Sequence, residues 1–279
     1  MSALPDRGNG LGELRRLAVG ATIILLASLL QFHLLTRDSR FHSDEAFFMT
    51  FARGAAVQGD WLLPGSLDKP PLSIYLSAFS MIAVGNSADA AGVLQLDVYA
   101  GEFAAALPNV MLALLFTALM MRLAWQRYRD WPCACFAGLL SAASPYLAAF
   151  GAAAFTDMSL LFFALVAFYF AGRRRWAWAG LALGLAFWGK QQAFFVAIFL
   201  ALLLIRERAG RCDWLRFSLP LGAAILALLA WDAARPEASI FLQAAANNAP
   251  DQLLALPGVW LGRLAHLLGA ALWLPGPPA

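Results

Sequence analysis

Residues 17–36 read LAVGATIILLASLLQFHLLT, twenty positions without an Asp, Glu, Lys or Arg, set directly behind Arg15-Arg16. A helix needs about 20 mostly apolar residues to cross roughly 30 Å of hydrocarbon, and this stretch meets that length. It is too long for the apolar core of a cleavable leader, and no small-residue cleavage site follows it. It reads as a membrane span. Working outward, comparable runs cover 99–121, 132–150, 157–172, 176–189, 191–205, 214–232 and 259–275, the last interrupted by Arg263 and His266. The expectation is an all-α fold, a polytopic transmembrane helix bundle of about eight spans.

Bulk composition agrees. The chain has 279 residues, of which 61% are hydrophobic and only 13% charged. Soluble domains carry about 25% charged residues, so roughly half of the usual charge is missing. That excludes a soluble enzyme, a disordered tail and a nucleic-acid binder. The three cysteines, Cys133, Cys135 and Cys212, are too few for a disulfide framework and have no metal-site company. They read as small apolar residues.

All but two of the 20 basic residues are Arg, and their placement orients the bundle. With the N-terminus in the cytoplasm, the inner segments hold Arg7, Arg15, Arg16, Arg122, Arg127, Arg129, Arg173, Arg174, Arg175, Arg206, Arg208, Arg211 and Arg216. The outer segments hold only Arg37, Arg40, Arg53, Lys69, Lys190 and Arg235. Short inner loops are the ones that accumulate arginine, so this is the predicted orientation. It places the long segment 37–98, the turn before Asp157 and the turn holding Lys190 on one outer face. Rare acids and both lysines of the chain meet there, although they are far apart in sequence.

The 37–98 segment contains two short helices by periodicity. In 44–59, Phe47, Phe48, Phe51, Ala52 and Ala55 form one stripe; in 70–84, Leu72, Tyr75, Leu76, Phe79 and Ile82 do, behind Pro70-Pro71. Neither is long enough to span, and so much apolar surface suits amphipathic helices lying in the interface. Each conspicuous polar residue has a structural reading beside a chemical one. Ser43 or Asp44 can cap the first helix, with Glu45 favourable in its first turn. Lys69, after Asp68, can snorkel to headgroups. Thr156 or Asp157 can cap the fourth span, and Lys190 can simply mark a turn. Gly180 and Gly184 form a G-x-x-x-G pattern that reads as a packing face. Glu102 lies near the outer end of the second span without a basic neighbour in sequence.

Taken together, a first span, Asp44-Glu45 after His42, Gly59-Asp60-Trp61, Lys69-Pro70-Pro71-Leu72, Thr156-Asp157 opening the fourth span and Gly189-Lys190 resemble the GT-C membrane glycosyltransferases. The likeness is to the glycosyltransferase family 39-like branch that holds bacterial aminoarabinose transferases for lipid A and protein O-mannosyltransferases. It covers about residues 15–205. The resemblance implies Asp44 as the catalytic acid residue, with Glu45 beside it, and Asp157 as the second acid of an outer active site. It implies Lys69 as the ligand of the donor phosphate, with Lys190 as a less uniform second lysine. His42, Asp68 and Tyr75 fall in supporting positions. Glu102 departs from the family, where a basic residue tends to stand. The family runs on beyond the Pro-Gly-Pro-Pro-Ala end of this sequence. Residues 1–279 are therefore expected to form one GT-C-type transmembrane module without the relatives' C-terminal outer domain.

The implied activity is transfer of a sugar from a polyprenyl-phosphate-linked donor to a lipid, glycan or protein acceptor at the outer face of a bacterial plasma membrane. This is cell-envelope chemistry of the kind used in lipid A modification and protein mannosylation. The leaving polyprenyl phosphate needs a fixed cation rather than a proton donor, which suits lysine. A hydroxyl acceptor loses a proton as it attacks, which suits a carboxylate. One-step displacement inverts the anomeric centre. No cofactor is implied; a divalent cation bridging Asp44 and Asp157 is compatible with the pattern but not required by it. Membrane lipids are the other expected partners. Two other readings stay open on sequence alone: a lipid or sugar transporter or flippase, and a non-catalytic lipid-binding remnant of a glycosyltransferase. Transporters usually place ionisable groups mid-membrane on broken, repeated helices, whereas here they sit at helix ends.

Overall fold

The computed structural model describes residues 7–37, 41–88, 90, 94–248 and 257–272. Helix α1 (Arg7–Leu35) is followed by α2 (Ser43–Arg53), which runs into a π-helical turn (Gly54–Gln58). Then come α3 (Leu72–Val84), strands β1 (Asn86–Ala88) and β2 (Leu94–Leu96), and α4 (Val98–Tyr128). The rest is helical: α5 (Trp131–Ala142), α6 (Pro145–Gly151), α7 (Asp157–Ala171), α8 (Trp176–Gly189), α9 (Ala193–Arg206), α10 (Arg211–Ala233), α11 (Ile240–Asn247) and α12 (Pro257–Leu272). The antiparallel pairing of β1 and β2 (Asn86 opposite Leu96) is the one departure from an all-α chain among the described residues.

Among the described residues three helices, α1, α4 and α10, are long and apolar enough to cross a membrane. The predicted straight span at 132–150 is instead the pair α5 and α6, bent by 54° at residues 143–144. Pro145 explains the break, since its ring cannot continue the preceding helix; Ser144 restarts the chain by accepting the N–H of Leu147 (3.4 Å). Helices α7, α8 and α9 have 15, 14 and 14 residues, about 21–23 Å at 1.5 Å per residue, short of a full crossing. The expected eight spans are thus matched in length by three single helices and one bent pair. The predicted 259–275 span begins in α12, and its last three residues lie outside the described ones.

The outer-loop helices occupy the predicted places, though Pro70 and Pro71 precede α3 rather than open it. They do not simply float at an interface. Phe48, Met49 and Ala52 of α2, Leu63 and Leu67 of the following loop and Ile74 and Ala78 of α3 form one buried cluster with Ala104 and Ala105 of α4, Leu228 of α10 and Ile240 of α11. This core carries the loop as a fixed platform. Arg235, just past α10, is buried and donates to the carbonyls of Leu62 (3.3 Å), Leu63 (3.0 Å) and Gly65 (2.7 Å). Asp232 balances its charge at 3.7 Å.

Helix α8 packs between α7 and α10, and the G-x-x-x-G pattern lies on that contact. A Cβ on Gly180 would stand 2.0 Å from the Phe217 carbonyl oxygen, and one on Gly184 2.4 Å from Ala224 Cβ. Gly180→Ala is expected to cost about 3 kcal/mol, the upper end of overpacking penalties, because backbone must move. Gly222→Ala on α10, where nothing lies within 4 Å, should be neutral. Thermal unfolding of both variants in detergent checks the difference; equal midpoints would show that the helices do not touch at Gly180.

Candidate active site

Asp44 owes its freedom to the residues around it. His42 has an extended backbone (φ −61°, ψ 154°) and caps α2, its Nδ1 accepting the Asp44 N–H at 3.3 Å. Glu45 Oε1 accepts the His42 N–H at 3.2 Å, completing a capping box with histidine where serine or threonine is usual. Neither Ser43 nor Asp44 caps the helix. No described residue takes the Asp44 carboxylate as a hydrogen-bond or ion-pair partner, and it faces a cavity.

Glu45 is 7% exposed, and its second oxygen accepts the Ala154 N–H at 2.7 Å. Residues 152–156 are non-helical, and this backbone needs partners if it is to lie among apolar helices. Asn109 of α4 supplies them, its Nδ2 donating to the carbonyls of Ala153 and Phe155, both at 2.6 Å. That stitched segment delivers Asp157 to the first turn of α7. Thr156 stands at the cap position but makes no side-chain cap, and the Asp157 carboxylate turns instead to Lys190 Nζ, 2.6 Å away. The capping readings of Thr156 and Asp157 therefore fail, and Lys190 does more than mark a turn.

Lys190 reaches Asp157 because α8 ends against α7. A Cβ on Gly189 would stand 2.4 Å from Ser159 Oγ, so only glycine permits the approach. Ser159 also hydrogen-bonds Ser73 of α3, tying the start of α3 to the same seam. Lys69, four residues before Ser73, pairs with Asp68 at 2.8 Å rather than snorkelling away, and its side chain is 17% exposed. Asp68 is held from two further sides: Gln191 Nε2 donates to its carbonyl (2.7 Å), and Asn247 of α11 to its carboxylate (3.2 Å).

Five of the eight residues singled out by sequence thus line one cavity of about 410 Å³: Asp44, Asp68, Lys69, Asp157 and Lys190. Asn247 and Thr156 join them, with Phe47, Phe48, Phe150 and Phe155 as apolar wall. Glu45 and His42 stand behind it. Glu45 faces a neighbouring cavity of about 750 Å³, which Phe155 shares and which Arg37, Tyr99 and Glu102 also line. Glu102 shares that cavity with Arg37 but makes no ion pair with it. Tyr75 lies elsewhere: its hydroxyl donates to the Trp61 carbonyl and accepts from Trp231 Nε1 (2.7 Å). Burial pushes its phenol above the usual tyrosine range, against the opposing pull of the Trp231 donor and Arg235.

Chemically, the cavity offers three carboxylates and two ammonium groups. Each lysine holds one carboxylate and has donors to spare, since an ammonium carries three N–H bonds. A phosphate oxygen can therefore be taken up without expelling the acids. Among the described residues no three His, Cys, Asp or Glu side chains converge as a metal site. Sequence reasoning missed Asn247, Gln191 and Asn109. The signal for Asn109 was a carboxamide in the middle of an otherwise apolar run, which seldom occurs without a partner. Asn247 had no comparable signal, because α11 is a short helix between predicted spans.

Glu45→Ala removes the partner of a backbone donor and breaks the capping box. Its expected cost is about 2–3 kcal/mol in stability, from one cap and one buried N–H left unpaired. Thermal unfolding checks this; an unchanged midpoint would show that residues 152–156 hold without it.

No protein-family model matches the sequence, and no curated protein matches it. Among solved structures, the chain is similar to ArnT from Cupriavidus metallidurans, crystallised in the apo state, with a TM-score of 0.57 at 18% sequence identity. The match covers 82% of this chain and 42% of that one, so the chain spans less than half the length of that protein. The expected helical bundle is the fold the chain has, and its arrangement is similar to that of ArnT.

Proposed function

We propose that this protein transfers a sugar from a polyprenyl-phosphate-linked donor to a hydroxyl-bearing acceptor at the outer face of the membrane, with inversion at the anomeric carbon. The observation that carries this reading is the cavity itself, where Asp44, without a partner among the described residues, lines one space with Lys69 and Lys190. ArnT, an aminoarabinose transferase, supports it through the shared fold. Asp44 takes the acceptor proton as the acceptor oxygen attacks C1; the C1–O bond to phosphate breaks, and polyprenyl phosphate leaves with the electron pair. Lys69 stabilises the charge that develops on that phosphate. Asp157 holds Lys190 in reach of the same group, and Asn247 fixes Asp68 so that Lys69 stays directed into the cavity. The fluctuating isoprenoid tail needs an apolar path to the bilayer, and the phenylalanines of the wall supply one. A lipid acceptor fits the likeness to ArnT best; glycan and protein acceptors share the same hydroxyl chemistry.

The test is a transfer assay in membranes containing the native chain, a radiolabelled polyprenyl-phosphate sugar and lipid A as acceptor. Label moving to the acceptor supports the reading; no transfer to lipid, glycan or protein acceptors favours the lipid-binding remnant. The outer location is checked separately. In a cysteine-free background, Ser66→Cys, which is exposed, should react with an impermeant thiol reagent added to intact cells, and protection there would place the site on the inner side.

A further inference from the structure

A third cavity lies at the opposite end of the bundle. About 490 Å³ in volume, it is lined by Arg16, Leu17, Gly20 and Ile24 of α1, Ala118, Met121, Arg122 and Trp125 of α4, Trp131 of α5, and Glu13. Its polar end is organised. The Arg16 guanidinium sits 5.4 Å from the centroid of Trp125, and Trp125 meets Trp131 edge-on at 5.8 Å. With its amide oxygen turned toward them, Gln126 accepts from both Arg122 (3.3 Å) and Arg173 (2.6 Å), gathering a third cation beside the cavity. No described carboxylate lies within ion-pair distance of Arg16, Arg122 or Arg173, although Glu13 lines the cavity.

From Arg16 the apolar lining continues along α1 through Gly20 to Ile24, about 12 Å at 1.5 Å per residue. Arg16 and Leu35 are separated along α1 by roughly 29 Å, close to one hydrocarbon thickness, so this cavity meets the leaflet opposite the candidate active site. Arginines and tryptophans belong at that level of a bilayer, but here they enclose a groove instead of fanning outward.

We propose that this groove binds one anionic phospholipid of that leaflet, its phosphate between Arg16 and Arg122 and one acyl chain lying over Gly20 and Trp131 toward Ile24. The cation excess selects against zwitterionic lipids, because Glu13 alone opposes three guanidinium groups. An arginine fork matches phosphate oxygens in two-point fashion, which a diffuse surface charge does not. A Cβ on Gly20 would stand 3.6 Å from Trp131, so the groove narrows there and a longer side chain would fill it.

The experiment uses the full chain purified in detergent, with dioleoyl phosphatidylglycerol, dioleoyl phosphatidylcholine or inorganic phosphate added. Retention is read by native mass spectrometry, and stabilisation by the unfolding midpoint. One phosphatidylglycerol should be retained and raise the midpoint, with phosphatidylcholine and inorganic phosphate ineffective. Arg16→Gln with Arg122→Gln should weaken retention about tenfold or more, consistent with the loss of two phosphate contacts. Gly20→Leu, which keeps both arginines, should weaken it as well. Equal retention of phosphatidylcholine, an equal effect of inorganic phosphate, or full retention by either variant overturns the proposal.

Discussion

Asp44→Asn is expected to lower sugar transfer by about 10²–10⁴-fold, the usual size of a general-base contribution, while leaving the folded protein as stable as before. Both halves follow from the same geometry. The carboxylate has no partner among the described residues, so its replacement breaks no hydrogen bond and strands no charge. Asparagine has nearly the same shape and keeps α2 intact, because the cap belongs to His42 and Glu45. The loss should appear in kcat, with the KM for the donor little changed, since the base acts on the acceptor as it attacks. Its neighbour provides the contrast: Glu45→Ala should lower stability first and activity only in consequence. Retained transfer in Asp44→Asn, measured with radiolabelled donor in membranes, would remove Asp44 from the chemistry.

Lys69→Ala is expected to cost about 10²–10³-fold in kcat/KM, comparable with deleting one preorganised donor to a developing anion. Here KM for the donor should rise along with the fall in kcat, because the same ammonium binds the phosphate in the ground state and holds it as the bond breaks. The variant also leaves Asp68 facing the cavity with only Asn247 to satisfy it, so a carboxylate now repels the donor. Lys69→Ala combined with Asp68→Asn should therefore recover part of the donor affinity but little of kcat. A double variant no better than the single one would show that Asp68 does not face the phosphate.

Much of this was legible before any coordinates. A charge-free run at 17–36 points to a span, and scarce lysines at helix ends point to the cavity they line, because both are costs the chain would otherwise avoid. Glycines at 180 and 184 announced a close helix contact for the same reason. What sequence did not carry was pairing. Lys190 takes Asp157 across 33 residues and Asn247 takes Asp68 across 179, and only packing decides such choices. Caps were unreadable for a related reason. Ser43 and Asp44 have better capping chemistry than His42, yet the backbone is extended at His42, and position overrides preference. Helix bounds were largely legible, and the exception is the run 132–150, which is bent rather than straight. Residues 152–156 fall between the expected spans, and what sequence did not show is that Asn109 and Glu45 hold them open ahead of α7.

The Arg235 contacts impose an order in time. The loop that carries Lys69 is made early, but the guanidinium that grips it at Gly65 is encoded 170 residues later. At about 5–20 residues per second, roughly ten to thirty seconds separate the two during synthesis. Through that interval the nascent loop is without its clasp. The cavity also takes Asn247 of α11, so a chain that stops short of Arg235 lacks both the clasp on the loop and one part of the cavity wall.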